Sequence, residues 1–183
     1  GVLAGDRFIL RDAGARHTIA GGVVLDIFPP SRRKRSPERL AMLAALADDN
    51  PATALEMATE QQAAGVDLEA YALNRNLDAS ALQAIIAGLN LQRVSNTVFS
   101  ARCWRALEVR LLAALAAEHE RAPDMPGVER DRLRRLTLPT LTRPAFDALL
   151  AGPLKAGQVA QTHAWLHLPE HRVQLAAGDR DLW

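Results

Sequence analysis

The order of predicted elements between residues 36 and 168 occurs twice, and this repetition constrains the fold more than any other feature. In each copy, helical segments are followed by two short β-type runs, at residues 91–94 and 97–100 and again at residues 158–162 and 164–168. Residues 43–47 resemble residues 112–116, and residues 84–88 resemble residues 148–152, which supports a duplication. Three helices followed by a two-stranded wing are the winged form of the helix-turn-helix unit. The sequence therefore predicts two tandem winged helices.

Residue spacing and cap chemistry predict where the helices begin and which side chains they bury. Four N-caps are predicted in the first copy, two of them followed by proline: Ser36, Asn50, Asp67 and Asp78. A fifth, Thr142, begins the last helix of the second copy. Helical periodicity places Leu40 in the first core and assigns Val128, Leu133 and Leu136 to one later helix.

The first 28 residues differ in composition from the rest of the chain. Residues 8–10 and 19–27 are β-rich runs separated by a turn-type cluster, and Gly21-Gly22 indicate a bulge or a close backbone approach. Two strands alone cannot bury a core in water. We therefore expect them to pair as a hairpin that rests on the first winged helix or on another molecule.

These patterns define the fold class and the boundaries. The predicted fold is mainly α with small β, with tandem winged-helix domains preceded by a partial β-barrel strand pair. The predicted segments are a strand pair, a basic linker, two winged helices and the start of a further unit, at residues 1–30, 31–35, 36–101, 102–172 and 173–183.

Several classes of function are disfavoured by composition and by missing motifs. The 183 residues carry a net charge of +1, and the single Cys103 excludes an internal disulfide or a zinc site of several thiolates. No apolar stretch approaches the ~20 residues of a membrane span. No GxxxxGK[ST] loop occurs, so GTP binding by that route is not expected. His163, His167 and His171 are interpreted as surface histidines rather than metal ligands.

The near-zero net charge conceals two basic regions. Four cations, Arg32, Arg33, Lys34 and Arg35, follow Pro29-Pro30, whereas residues 36–100 hold three basic and eight acidic side chains. Residues 101–175 hold eleven basic and eight acidic side chains, with Arg130, Arg134 and Arg135 on one short helix. Each basic group is open to two interpretations: contact with RNA phosphates, or a solvated surface that keeps a linker extended or is balanced by Glu129 and Asp131.

The helices in the recognition position are poor in groups that read DNA. Residues 79–89 contain no basic side chain, and residues 142–154 contain only Arg143 and no glutamine or asparagine. Reading base edges in the major groove requires arginine, lysine, asparagine or glutamine. Gln83 alone does not meet this requirement. We expect the apolar content of these helices to pack against a neighbouring unit.

A family resemblance rests on the two ends of this pattern. Phe8-Ile9-Leu10-Arg11 and the run from Thr18 to Val24 resemble the last two strands of the C-terminal β-barrel in elongation factors related to factor Tu. With Val24-Leu25-Asp26, a basic linker and tandem winged helices, the chain is similar to bacterial selenocysteine-specific elongation factors. Residues 165–171 resemble the second wing of that family, while Ala20 departs from its glycine run.

The resemblance implies a fragment of a translation factor that is cut at both ends. The full-length factor would be a GTPase that uses GTP and magnesium and delivers selenocysteyl-tRNA to the ribosome. Its winged helices would reach an mRNA hairpin. This fragment would link the GTPase and tRNA-binding body to that tip, with no catalytic residue, cofactor or metal of its own. It would be cytoplasmic and monomeric, and residues 179–183 would open a third winged helix.

Two other functions remain open at this point. A tandem winged-helix DNA-binding transcriptional regulator is the main alternative, although the β-rich residues 6–28 and the base-poor helices argue against it. A protein-interaction module that uses the apolar faces of those helices is the third.

Overall fold

The computed structural model describes residues 2–174 and divides the chain into two compact units, Gly1–Cys103 and Trp104–Trp183. The predicted fold class, mainly α with small β, is confirmed. Residues 179–183, where a third winged helix was expected to open, lie outside the described residues. Among residues 2–174, no helix has both the length and the apolar character needed to cross a bilayer.

The first unit begins with the expected antiparallel hairpin. Strand β1 (Arg7–Arg11) pairs with β2 (Thr18–Val23), and Phe8 lies opposite Gly22. A Cβ atom at Gly22 would lie 2.6 Å from Cζ of Phe8, so the glycine gives the aromatic ring its place over the neighbouring strand. The sequence predicted a bulge or a close backbone approach at this glycine pair, but the close contact at Gly22 is with the Phe8 side chain, and the irregularity in strand register lies between Leu10 and Arg11.

Four capped helices follow the hairpin in the first unit. All four predicted N-cap side chains accept a backbone hydrogen bond from the first turn of their helix. These local signals are reliable because a cap oxygen satisfies donors that have no partner within the helix. The helices are α1 (Pro37–Leu46), α2 (Pro51–Gln61), α3 (Leu68–Arg75) and α4 (Ala79–Ala87).

A three-stranded sheet completes the first winged helix. Strands β4 (Leu91–Val94) and β5 (Thr97–Ser100) form the predicted wing, and the two-residue strand β3 (Val66–Asp67) pairs with β5. The prediction missed β3, because two residues show no periodicity. It was wrong at Leu40, which is 55% exposed, whereas the neighbouring Arg39 packs inward.

The second unit repeats this arrangement. Its elements are α5 (Ala101–Arg121, whose first three residues belong to the first unit), β6 (Val128–Glu129), α6 (Arg130–Thr137), α7 (Arg143–Lys155), β7 (Ala160–Thr162) and β8 (Trp165–His167). The strands form a sheet of the order β6-β8-β7, equivalent to β3-β5-β4 of the first unit, and the core contains Leu111, Leu133 and Leu149.

One sequence assignment in the second unit was wrong. Val128 does not belong to the following helix but lies in strand β6, in which it pairs with Leu166 of the wing. Leu136 lies in the helix α6 as assigned, but it is 53% exposed and does not join the core. Thr142 does cap α7 as predicted, by accepting a hydrogen bond from the Ala145 backbone.

The two units repeat the same order of elements, but one of the two pairs of similar segments, residues 43–47 and 112–116, lies in helices that are not equivalent. Helices α2 and α5 each stand directly before a two-residue strand, so these two helices are equivalent. Residues 43–46 lie in α1, which has no counterpart among residues 104–174 of the second unit, and residue 47 is its C-cap, whereas residues 112–116 lie in α5. The other match joins the equivalent helices α4 and α7. Alanine-rich similarity is too common to fix an alignment by itself.

Candidate nucleic-acid interface

The four consecutive cations are all exposed. Arg32, Arg33, Lys34 and Arg35 form no ion pair and no side-chain hydrogen bond with any residue between 2 and 174. Arg33 adopts a left-handed conformation (φ 54°), and its carbonyl accepts a hydrogen bond from Ser36 N at 3.2 Å, which forms a turn before α1. We call residues 31–35 the basic loop.

The segment before the basic loop is attached to α3 by one asparagine. The Asn74 side chain donates from Nδ2 to the Leu25 carbonyl at 3.0 Å and accepts at Oδ1 from the Ile27 amide at 2.9 Å. Asn74 is only 3% exposed. Both halves of the amide are used, so this buried polar group stabilises one backbone conformation of residues 25–27.

An ion pair attaches the same segment to α1. Asp26 Oδ2 lies 2.7 Å from Arg39 Nη1, and the two side chains are 11% and 15% exposed. Asp26 also accepts at Oδ1 from the Phe28 amide at 2.8 Å. Because Asp26 precedes the basic loop and Arg39 follows it, this pair joins the segments on either side of the loop. The predicted linker is thus a loop anchored at both ends within the first unit.

An open cavity of about 440 Å³ lies beside this anchored segment in the first unit. Phe28 and Pro30 line it from the segment, and Met42, Leu46 and Tyr71 line it from the helices. Residues 25–30 therefore lie against the helices of the first winged helix, whereas strands β1 and β2 are exposed along nearly their whole length. The expectation that the hairpin itself rests on this unit stays a prediction.

The arginines of α6 do not form one exposed face. Arg130 donates from Nη1 to Asp147 Oδ1 and from Nη2 to Gln161 Oε1, both at 3.0 Å, and so joins α6 to α7 and to the wing. Arg134 donates from Nη1 to the Leu141 carbonyl at 3.2 Å, and its side chain is 21% exposed. Arg135 is exposed and has no ion pair among residues 2–174. Of the three predicted contacts on this helix, Arg135 is therefore the most available to a ligand.

The helices in the recognition position behave differently from the prediction. In α4, Leu82, Ile85 and Ile86 pack against the core of their own unit. In α7, Phe146, Leu149 and Leu150 are buried. The expected packing against a neighbouring unit is therefore not needed to explain their apolar content. Arg143, at the first position of α7, is exposed.

The histidines of the second unit include one pair that the sequence did not suggest. His119, near the end of α5, stacks on His171 with ring centroids 3.8 Å apart. His119 Nε2 accepts a hydrogen bond from Leu168 N at 3.1 Å, and burial, followed by the positive charges of His171 and His167, lowers the pKa of His119. His163 lies in an exposed turn. Among the described residues, no group of three His, Cys, Asp or Glu side chains is arranged to hold a metal ion.

The fold places the chain in the class of tandem winged-helix proteins. A β-hairpin and then the basic loop precede the two winged helices in the chain. Two family models match the chain, described as "Selenocysteine-specific elongation factor, beta-barrel domain" over residues 1–31 and "Elongation factor SelB, winged helix" over residues 112–168.

Two relatives and one solved structure extend these matches. The selenocysteine-specific elongation factor of Escherichia coli is 33% identical over 179 residues, or 97% of this chain, and that of Haemophilus influenzae is 30% identical over 182 residues, or 98%. The chain spans 29% of each relative's length. The crystal structure of the bacterial selenocysteine-specific elongation factor EF-Sec shares the fold, with a TM-score of 0.61 and 12% identity over all of this chain and 27% of that one. Nearly the whole chain is thus similar to one region of the selenocysteine-specific elongation factors.

Proposed function

We propose that this chain is the connecting region of a selenocysteine-specific translation elongation factor. In this role it joins the end of a β-barrel, attached to a GTPase and tRNA-binding body, to winged helices that lead toward an mRNA hairpin. The observation that carries the proposal is the match of residues 1–31 to the barrel domain of this family, followed in the same chain by a match of residues 112–168 to its winged helix.

The proposed division of the chain follows from this role. Residues 1–30 are the last barrel strands, residues 31–35 the basic loop, residues 36–101 and 102–172 the two winged helices, and residues 173–183 the start of a further unit. In the full-length factor, a GTPase with GTP and magnesium acts outside this region, and residues 1–183 supply no catalytic group. The partners are selenocysteyl-tRNA, the message and the ribosome, which implies a cytoplasmic protein, and the chain itself is a monomer.

RNA contact in this region is assigned to exposed cations. Arg32, Arg33, Lys34, Arg35 and Arg135 are free to neutralise phosphates, whereas Arg130 and Arg134 would first have to give up hydrogen bonds to Gln161 and Leu141. We therefore expect the larger share of RNA contact from the basic loop and from Arg135.

A DNA-binding regulator is the competing class, and the helix surfaces distinguish the two functions. A major-groove reader presents base-contacting side chains from its recognition helix. Helix α4 offers no cation, and α7 offers Arg143 at its first position and Lys155 at its last. The hairpin and its exposed apolar residues, Ile9 and Ile19 among them, also have no role in such a regulator.

The test compares ligands and then examines the parent gene. Filter binding of the chain to a structured RNA and to duplex DNA, at several salt concentrations, should give tighter RNA binding with clear salt dependence. Equal or tighter binding to duplex DNA would favour the regulator. A GxxxxGK[ST] loop is expected upstream in the same reading frame, and its absence would overturn the proposal.

A further inference from the structure

Residues 31–35 have the geometry of a closed loop. The Asp26–Arg39 ion pair joins the residues on either side, Asn74 fixes the backbone of Leu25 and Ile27, and Ser36 begins α1 by accepting from Arg39 N at 3.3 Å. A flexible linker of the same length would sample many conformations. Here both ends of the loop are attached to one folded unit.

The content of the loop indicates the ligand. Three guanidinium groups and one ammonium group occur in consecutive positions, all exposed, and the adjacent Pro29-Pro30 restricts the backbone. Guanidinium forks match phosphate oxygens in pairs. The nearest acidic side chain along the chain is Glu38, in the first turn of α1; hydrogen bonding to Ser36, and to a smaller extent the charge of Arg33, lower its pKa. A ligand with closely spaced phosphates fits this set of charges.

We propose that Asn74 and the Asp26–Arg39 ion pair preorganise the basic loop as a binding site for an RNA phosphate backbone. This inference rests on the proposed function, which supplies RNA as the partner, and adds that loop geometry as well as loop charge determines affinity. Holding a binding segment in its bound conformation raises affinity by reducing the ordering cost of binding. Neutralising phosphates sets the salt dependence of binding. Charge and geometry are therefore separable by experiment.

The experiment uses the full chain with a structured RNA and three kinds of variant. The first, R32Q/R33Q/K34Q/R35Q, removes the charge of the loop. The second, Asn74→Ala and separately Asp26→Asn, removes an anchor and keeps all four cations. The control, Asn90→Ala, changes an exposed asparagine of the same unit that has no described side-chain hydrogen bond.

The two kinds of variant should differ in their salt dependence. We expect the anchor variants to weaken RNA binding about 3- to 10-fold with an unchanged salt slope, and the charge variant to weaken binding more and to reduce the slope by about three. Asn90→Ala should bind like the unchanged chain. If the charge variant weakens binding and the anchor variants do not, preorganisation is wrong while RNA binding stands. If RNA binds no better than duplex DNA, the proposed function itself fails.

Trypsin cleavage within the loop gives a second readout that needs no RNA. Cleavage requires local opening of a segment. Each anchor variant should therefore be cleaved after residues 32–35 faster than the unchanged chain and Asn90→Ala, at a temperature where circular dichroism shows the helices intact. Equal cleavage rates would overturn the claim that Asn74 and Asp26 hold the loop.

Discussion

Each of the two winged-helix units contains a two-residue strand followed directly by an eight-residue helix, β3 and α3 in the first unit and β6 and α6 in the second. These two equivalent helices make different contacts. In both units a glycine and a valine lead into this helix, at Gly65-Val66 and Gly127-Val128. Seven residues into α3 stands Asn74, buried and bonded to the segment that follows the hairpin. The equivalent position of α6 is Leu136, which is 53% exposed.

The same two helices also differ in how they are stabilised. Asp67 caps α3 through a hydrogen bond from Ala70 N, whereas Glu129 makes no cap hydrogen bond to α6. Helix α6 is instead joined to its surroundings by Arg130 and Arg134. Equal topology therefore does not give equal surfaces. Helix α3 of the first unit holds the segment between the hairpin and the basic loop through Asn74, whereas α6 of the second unit makes hydrogen bonds to other elements of its own unit through Arg130 and Arg134.

The largest expected effect comes from replacing the glycine that precedes the two-residue strand in each unit. Gly127 has φ 154°, and a Cβ atom there would collide with the Leu166 backbone carbonyl, whereas a Cβ at Gly65 (φ 80°) would meet the side chains of Thr97 and Phe99. Side chains move aside more easily than paired backbone. Gly127→Ala should therefore destabilise the second unit by about 3 kcal/mol or more, and Gly65→Ala should destabilise the first unit by less.

The tryptophans and hydrogen exchange separate these two outcomes. All three tryptophans lie in residues 104–183, so tryptophan fluorescence during urea unfolding reports the second unit. Amide exchange of peptides from residues 50–100 reports the first unit. A larger loss from Gly65→Ala than from Gly127→Ala would contradict the difference between backbone and side-chain contact.

The second prediction concerns the equivalent positions Asn74 and Leu136. Asn74→Ala removes two hydrogen bonds and leaves the Leu25 carbonyl and the Ile27 amide without that partner, so it should lower the unfolding free energy of the first unit by about 1–3 kcal/mol. Leu136→Ala should change that of the second unit by only about 0.5 kcal/mol. Urea unfolding followed by amide exchange measures both. Equal effects would mean that the two helices are not used differently.

A smaller effect distinguishes the arginines of α6. Arg134→Gln removes a hydrogen bond to the Leu141 carbonyl and should destabilise the second unit by about 1 kcal/mol. Arg135→Gln, one residue further along the same helix, should leave stability unchanged within about 0.5 kcal/mol. Tryptophan fluorescence in urea compares the two variants. Destabilisation by Arg135→Gln but not by Arg134→Gln would reverse the assignment of structural and available cations.

The smallest effect is a pH dependence that only the second unit should show. Its fold lowers the pKa of His119 from 6.5, so the unfolded chain binds more protons just below that pH. The stability from neutral His119 is complete above about pH 6.5 and is lost as the pH falls through the lower folded pKa. His171 and His167 oppose protonation of His119, and Glu170 and Glu118 favour it.

His119→Gln provides the control for this pH dependence. Glutamine does not titrate and keeps an acceptor oxygen for Leu168 N. Between pH 7 and 5, the urea midpoint of the tryptophan signal should fall less for this variant than for the unchanged chain. An equal fall in both would mean that other groups, not His119, cause the acid sensitivity.

Local chemistry made much of the fold predictable. Ser36, Asn50, Asp67, Asp78 and Thr142 act through residues within three positions, so their sequence neighbours are sufficient to identify them as caps. The wings were recognisable because β-type runs flank short turns. Strands β3 and β6 were missed because their two residues form strands only through pairing with a distant wing. The available signal was a glycine directly before the valine that begins each strand, at Gly65-Val66 and Gly127-Val128.

Contacts between distant residues made the candidate site harder to predict. Helical spacing indicated Leu40 as a core residue, but Asp26, thirteen residues before Arg39, draws that arginine inward instead. In the same way, nothing near Arg130 in the sequence indicates Asp147 or Gln161. The exposure of the basic loop followed from its composition, while its attachment to Asn74 depends on the tertiary fold.

The central proposal is that the four cations of the basic loop together contribute more to RNA contact than Arg135, the available cation of α6. Its most direct test is the slope of log binding constant against log salt for a structured RNA. Neutralising Arg32, Arg33, Lys34 and Arg35 should lower the slope by about three, and Arg135→Gln should lower it by at most about one. A slope unchanged by the loop variant, or reduced more by Arg135→Gln, would contradict the account.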